Sequence, residues 1–98
     1  LPGEGSVVPL RLSASWMVIA DDRILEYLDV EGPQSPVRIS RDERFDFGRQ
    51  YVNRRLLKLA EAGLVDKDRI GRGVYGINDT GVKYLKGEFN ARELPAPE

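Results

Sequence analysis

The stretch between Gly48 and Gly63 constrains this chain more than any other. It reads RQYVNRRLLKLAEA, and Val52, Leu56, Leu59 and Ala60 recur at three- and four-residue spacing, so they share one side of an α-helix. Gly63 suits the end of that helix, because glycine takes the left-handed backbone conformation that closes a last turn. The spacing predicts a helix over Arg49–Ala62. Opposite the apolar stripe stand Gln50, Asn53, Arg54, Leu57 and Glu61, with Arg49, Tyr51 and Lys58 on the borders. A helix apolar on one side must cover that side, so the rest of the chain has to supply its packing partners.

Upstream, Ile24, Leu25, Tyr27, Leu28 and Val30 recur with helical spacing while Asp21, Asp22, Arg23, Glu26 and Asp29 fill the other face. This predicts a first helix over 20–31, ended by Gly32-Pro33. Its early acids suit the positive end of the helix dipole. A metal site is a poorer account of Asp21 and Asp22, since no His, Cys or spaced acidic partner accompanies them. Ser35-Pro36 supplies an N-cap and a first-turn proline for a second helix to about residue 44, with Val37 and Ile39 pointing into the core. Phe45-Asp46-Phe47-Gly48 then gives two buried aromatics and a turn, with Gly48 or Asp46 capping the third helix.

Beyond Gly63, apolar-alternating runs at 64–67 and 74–77 flank Asp68-Arg69-Ile70-Gly71-Arg72-Gly73 and predict a β-hairpin. Asn78-Asp79-Thr80-Gly81 is expected to cap a last helix carrying Val82, Tyr84, Leu85 and Phe89. The order helix, helix, helix, hairpin, helix describes a mainly α fold with a small hairpin, a winged helix-turn-helix. Residues 16–94 read as that one domain, residues 1–15 as an arm or tail, and residues 95–98 as a C-terminal tail. Trp16, Tyr27 and Tyr84 are expected as packing anchors, in the core or at a dimer interface.

Composition narrows the function. The 98 residues include no Cys and no His, which removes thiolate chemistry, disulfides, and the zinc and proton-transfer sites built on those side chains. No cofactor, metal or catalytic centre is expected, and an enzyme is the poorest reading. Apolar runs fall far short of the ~20 residues a bilayer requires, so the chain reads as soluble and cytoplasmic. A chain this short buries a modest core, and a homodimer is the expected assembly. The net charge of −1 conceals an uneven distribution: residues 38–72 hold ten basic and six acidic side chains, net +4, while the remainder is net −5. A basic middle between acidic flanks points to a polyanionic partner.

The chemistry of base recognition selects the candidate residues. A helix entering the major groove needs donors on one outward face near its N-terminus, because guanine offers two acceptors and adenine a donor and acceptor pair. Arg49, Gln50, Asn53 and Arg54 provide such a face. Arg41, Arg44, Tyr51 and Lys58 flank it as candidates for phosphate contact, and Arg69 and Arg72 bracket Gly71 at the hairpin tip, within reach of backbone phosphates or the minor groove. Leu57 is the odd member of the outer face.

The run from Phe47 to Leu56, followed by Lys58-Leu59-Ala60-Glu61-Ala62-Gly63-Leu64-Val65, is similar to winged-helix regulators, including the MarR-like and ArsR-like families. Trp16-Met17, Ala20-Asp21-Asp22-Arg23-Ile24-Leu25, Gly32-Pro33, Arg41-Asp42-Glu43-Arg44, Gly73-Val74-Tyr75-Gly76-Ile77 and Thr80-Gly81 resemble, more specifically, the phage PhiH repressor-like proteins of halophilic archaea. The resemblance covers residues 16–94. It implies a repressor that binds operator DNA as a homodimer, with the third helix as reader through Arg49, Gln50, Asn53 and Arg54, and with Arg69 and Arg72 on the wing. Val18-Ile19 stands where related sequences tend to open the first helix with Thr-Pro. The expected function is therefore a sequence-specific DNA-binding transcriptional regulator, a repressor acting by operator occupancy on double-stranded DNA. A winged-helix protein-protein module is the alternative, which an apolar surface joining Leu57 and Tyr51 to the wing would favour; RNA binding is a weaker one.

Overall fold

Helix α1, Ile19–Glu31, begins one residue earlier than its apolar spacing indicates and has no side-chain cap from its N-cap residue, Val18. The Asp21 carboxylate instead accepts the Val18 backbone N–H at 3.0 Å, and the Asp21 N–H donates to the Val18 carbonyl at 2.9 Å. An acid at the third position thus ties the first turn back to the residue that precedes it. The computed structural model describes residues 10–68, 71 and 73–97.

Helix α2, Pro36–Arg41, starts as expected, with the Ser35 hydroxyl accepting the Arg38 N–H at 3.2 Å. It stops at Arg41, short of the expected residue 44. Asp42 turns to extended backbone, and its carboxylate accepts both the backbone N–H and the guanidinium of Arg44. Such side-chain bonds compete with continued helix. Val37 is a second departure. Ile39 is fully buried, whereas Val37 is half-buried and is not among the side chains packed on the core. Two residues apart on a helix are about 200° apart, so only one of the two can face inward.

Phe45 is buried and Phe47 half-buried in the turn that follows. Their rings join a chain of contacts from Tyr27 to Tyr51, with centroids 5.5, 6.2 and 5.2 Å apart in sequence. Helix α3 spans Arg49–Ala62 as predicted, with Gly48 as its N-cap and Gly63 closing it at φ 94°. Its buried side is Val52, Arg55, Leu56, Leu59 and Ala62; Ala60, expected on the core stripe, is half-buried at its edge.

Strands β1, Val65–Lys67, and β2, Tyr75–Ile77, form the expected antiparallel hairpin, with Val65 opposite Ile77 and Lys67 opposite Tyr75. Gln34, in the α1–α2 linker, exchanges backbone hydrogen bonds of 3.0 and 2.9 Å with Tyr75 and so ties the linker to the hairpin. Helix α4, Asp79–Leu85, is capped by Asn78, whose side chain accepts the Gly81 N–H at 2.9 Å. A Cβ on Gly81 would lie 2.4 Å from the Leu64 carbonyl oxygen and 2.6 Å from Ile77 Cγ1, so a residue without a side chain is what lets α4 reach the hairpin base. The helix ends at Leu85. Phe89, expected on it, lies in a bend before a short 3-10 turn, Ala91–Glu93.

The side chains of Ile24, Leu25, Leu28, Ile39, Val52, Leu56, Leu59, Leu64 and Tyr84 meet in one core. Truncating a buried leucine or isoleucine of this kind to alanine costs about 2–5 kcal/mol. Within the expected arm, residues 10–14 run along this body. The Ala91 N–H donates to the Leu12 carbonyl at 2.9 Å, Ala14 is buried, and the Arg11 guanidinium reaches the Leu85 carbonyl, Asp22 and Glu26. Residues 1–9 lie outside the described residues. Among the described residues, no helix is long and apolar enough to cross a membrane.

Candidate nucleic-acid interface

Two neighbouring arginines on α3 have opposite surroundings. Arg55 is on the core stripe, and its guanidinium donates to both oxygens of the fully buried Asp21, at 2.8 and 2.6 Å, and to the Trp16 carbonyl at 3.1 Å. The pair ties α3 to the first turn of α1. Arg54, about 100° further round the helix, is exposed, with its guanidinium 5.6 Å from the Tyr51 ring centroid.

Arg49, Gln50 and Asn53 are also exposed, and they line one open groove together with Pro36 and Val37 of α2. Their side chains form no hydrogen bond or ion pair with any other described residue. Each therefore keeps its full donor and acceptor capacity for a ligand: a planar fork from Arg49 and an amide pair from Gln50 and from Asn53. Gly48 caps α3 without a side chain, and Asp46 does not reach it, so the first N–H groups of the helix are uncovered. No acid stands in that first turn to compete for an anion.

A second patch continues along the same helix, formed by Arg54, Leu57, Lys58 and Glu61. Leu57 is 46% exposed, but its neighbours in this patch are charged rather than apolar. Tyr51 is half-buried between the Phe47 ring and Arg54. Arg41 is exposed in the last turn of α2. Arg44 is not gathered with these residues. Its guanidinium bonds Asp42 at 2.8 Å, lies 3.8 Å from Glu31 and sits 5.2 Å from the Tyr27 ring centroid, on the α1 side of the molecule. Its hydrogen bonds hold the Asp42 carboxyl down at about 2. Arg69 and Arg72 lie outside the described residues.

The described residues thus present a helix-turn-helix whose second helix leaves its outer face open, followed by a hairpin tied to the linker. The model of the winged helix-turn-helix phage repressor family matches residues 10–96. The chain belongs to this family. Among solved structures, the winged helix-turn-helix phage repressor chain is similar to the PhiH1 repressor-like protein from Haloarcula marismortui, at 39% identity and a TM-score of 0.82, over 89% of this chain and 97% of that one. No curated protein matches the chain at the level that marks a relative. The phage repressor family has a non-enzymatic, DNA-binding fold.

Sequence reasoning missed the Asp21–Arg55 pair in this repressor-family chain, although a signal for it was present. Arg55 stands three residues after Val52 and four before Leu59, on the core stripe, and Asp21 stands four before Leu25 and seven before Leu28 on the corresponding stripe of α1. Two opposite charges, each on an inward face, must find each other, because an unpaired buried charge is too costly. Arg11 was missed for a different reason. It belongs to a stretch without periodicity, and its partners Asp22 and Glu26 lie on the polar side of α1.

Proposed function

We propose that the chain is a sequence-specific transcriptional repressor that acts by occupying an operator in double-stranded DNA. The observation that carries this reading is the groove on the N-terminal half of α3, where Arg49, Gln50 and Asn53 are exposed without hydrogen-bond or ion-pair partners among the described residues. Side chains with that donor and acceptor pattern, at that end of the second helix of a helix-turn-helix, fit base edges in the major groove. Arg54, on the adjoining turn, completes the reading set. Arg41, Tyr51 and Lys58 are assigned to phosphates, as are Arg69 and Arg72 of the hairpin on the strength of the sequence.

Pairing of two copies belongs to the same proposal. Two recognition helices about 34 Å apart would read half-sites one helical turn apart, and a domain of this size gains stability from a second subunit. Selection of bound duplexes from random DNA at fixed salt tests the whole reading. The expected product is a pseudo-palindromic site whose preference disappears in an Asn53→Ala/Arg54→Ala double variant. A double variant with unchanged preference would overturn the reader assignment. Repeating the measurement across salt concentrations counts phosphate contacts, at a slope of about −0.9 per phosphate.

A further inference from the structure

The groove that holds the reading set has a floor that is neither polar nor part of the core. Pro36 and Val37 line it beside Arg49, Gln50 and Asn53. Val37 is half-buried, yet it is absent from the apolar side chains packed on the core cluster, whereas Ile39, two residues on, is fully buried there. The apolar surface of Val37 is therefore turned toward the groove. A rigid, branched side chain in that position has no hydrogen-bonding capacity to offer a base. Thymine carries one apolar group on its major-groove edge, the C5-methyl, and short aliphatic side chains are its usual partners.

We infer that Val37 is a base-contacting residue that reads the C5-methyl of a thymine next to the base contacted by Asn53. The inference rests on the proposed reading of DNA by α3 and adds a second element, α2, to the specificity surface. Discrimination by Val37 works by burial of one methyl group, so it distinguishes thymine from cytosine or uracil without any hydrogen bond. It also accounts for an apolar side chain kept at the edge of an otherwise polar interface.

The test uses the preferred duplex obtained by selection and replaces each thymine in turn by 2′-deoxyuridine, which removes the methyl and leaves every hydrogen-bonding group in place. At one thymine in each half-site, affinity of the unmodified protein is expected to fall about fourfold, the effect of one buried methyl. Val37→Ala is expected to bind the thymine duplex about fourfold more weakly and to be indifferent to deoxyuridine at that position, with its unfolding midpoint measured alongside to confirm an intact fold. Two results would overturn the inference while leaving DNA reading by α3 in place. One is a preferred site that lacks thymine or whose thymines all tolerate loss of the methyl. The other is a Val37→Ala protein that still loses the same factor at the same thymine. Absence of any preferred duplex would overturn the reading set itself, and the role of Val37 with it.

Discussion

Arg54 and Arg55 are adjacent in sequence and differ in what their charge is for. Arg55 points inward, where two carboxylate oxygens and a backbone carbonyl satisfy its guanidinium. Arg54 points outward beside Arg49, Gln50 and Asn53, a set with no hydrogen bond to the rest of the described residues. One step round the helix separates a group that fixes where α3 sits from a group that is available to a partner. A count of basic residues treats the two alike. Polar groups that already have partners inside the fold report on stability, and those left without partners report on binding.

The contrast is broken most sharply at Asp21. Asp21→Ala leaves the Arg55 charge buried without its carboxylate and removes the acceptor for the Val18 N–H, and is expected to cost about 3–5 kcal/mol in urea unfolding. Replacing both partners by apolar residues, Asp21→Leu with Arg55→Met, is expected to recover most of that loss, since a well-packed apolar pair is often as stable as a buried ion pair. A double variant as unstable as Asp21→Ala alone would mean the pair does more than satisfy itself.

On the outer face the expected effects move from stability to binding. Asn53→Ala and Arg54→Ala are each expected to lose about 1–3 kcal/mol of discrimination between preferred and altered duplexes. Their unfolding free energies should stay within about 0.5 kcal/mol of the parent. Binding isotherms on matched and mismatched duplexes, with denaturant curves for the same proteins, read both quantities. A large stability loss at either position would place it with Arg55.

Tyr84 sharpens the inner half of the comparison. Its hydroxyl donates to Asp22 at 2.7 Å, and burial, followed by the Asp22 carboxylate, raises its pKa above the ordinary value. The unfolded chain therefore ionises first. The contribution is fully present below about pH 10, the unfolded value, and is lost as pH rises beyond it toward the folded value. Tyr84→Phe is expected to cost about 1 kcal/mol at neutral pH and to flatten this tyrosine's share of the alkaline loss. Urea unfolding at pH 7 and pH 11 separates the two.

The smallest expected effect is at Arg44. Because Asp42 already holds its guanidinium, Arg44→Ala should leave the salt slope of DNA binding unchanged, whereas Lys58→Ala should reduce it by about 1. Equal changes at the two positions would return Arg44 to the phosphate set.

Periodicity and punctuation made much of this fold legible. Helix α3 was bounded by the glycines on either side of an apolar stripe, and both strands were marked by alternation. What periodicity cannot see is where a side chain intervenes. The early end of α2 goes with Asp42 bonding Arg44, and the early start of α1 with Asp21 holding the Val18 N–H. The exposure of Gln50, Asn53 and Arg54 was legible because a wheel separates them from Val52 and Leu56. Val37 was misplaced because it was paired with Ile39 as an inward residue, against the geometry of a helix.

The bridge between Leu12 and Asn90 makes neighbours of two segments that are far apart in the sequence. A donor fluorophore on Ser13 and an acceptor on Arg92, both exposed and each just beyond the bridged pair, would be held close in the native state and part when the bridge lets go. Energy transfer between them would then follow the release of this clasp separately from the melting of the core around α3.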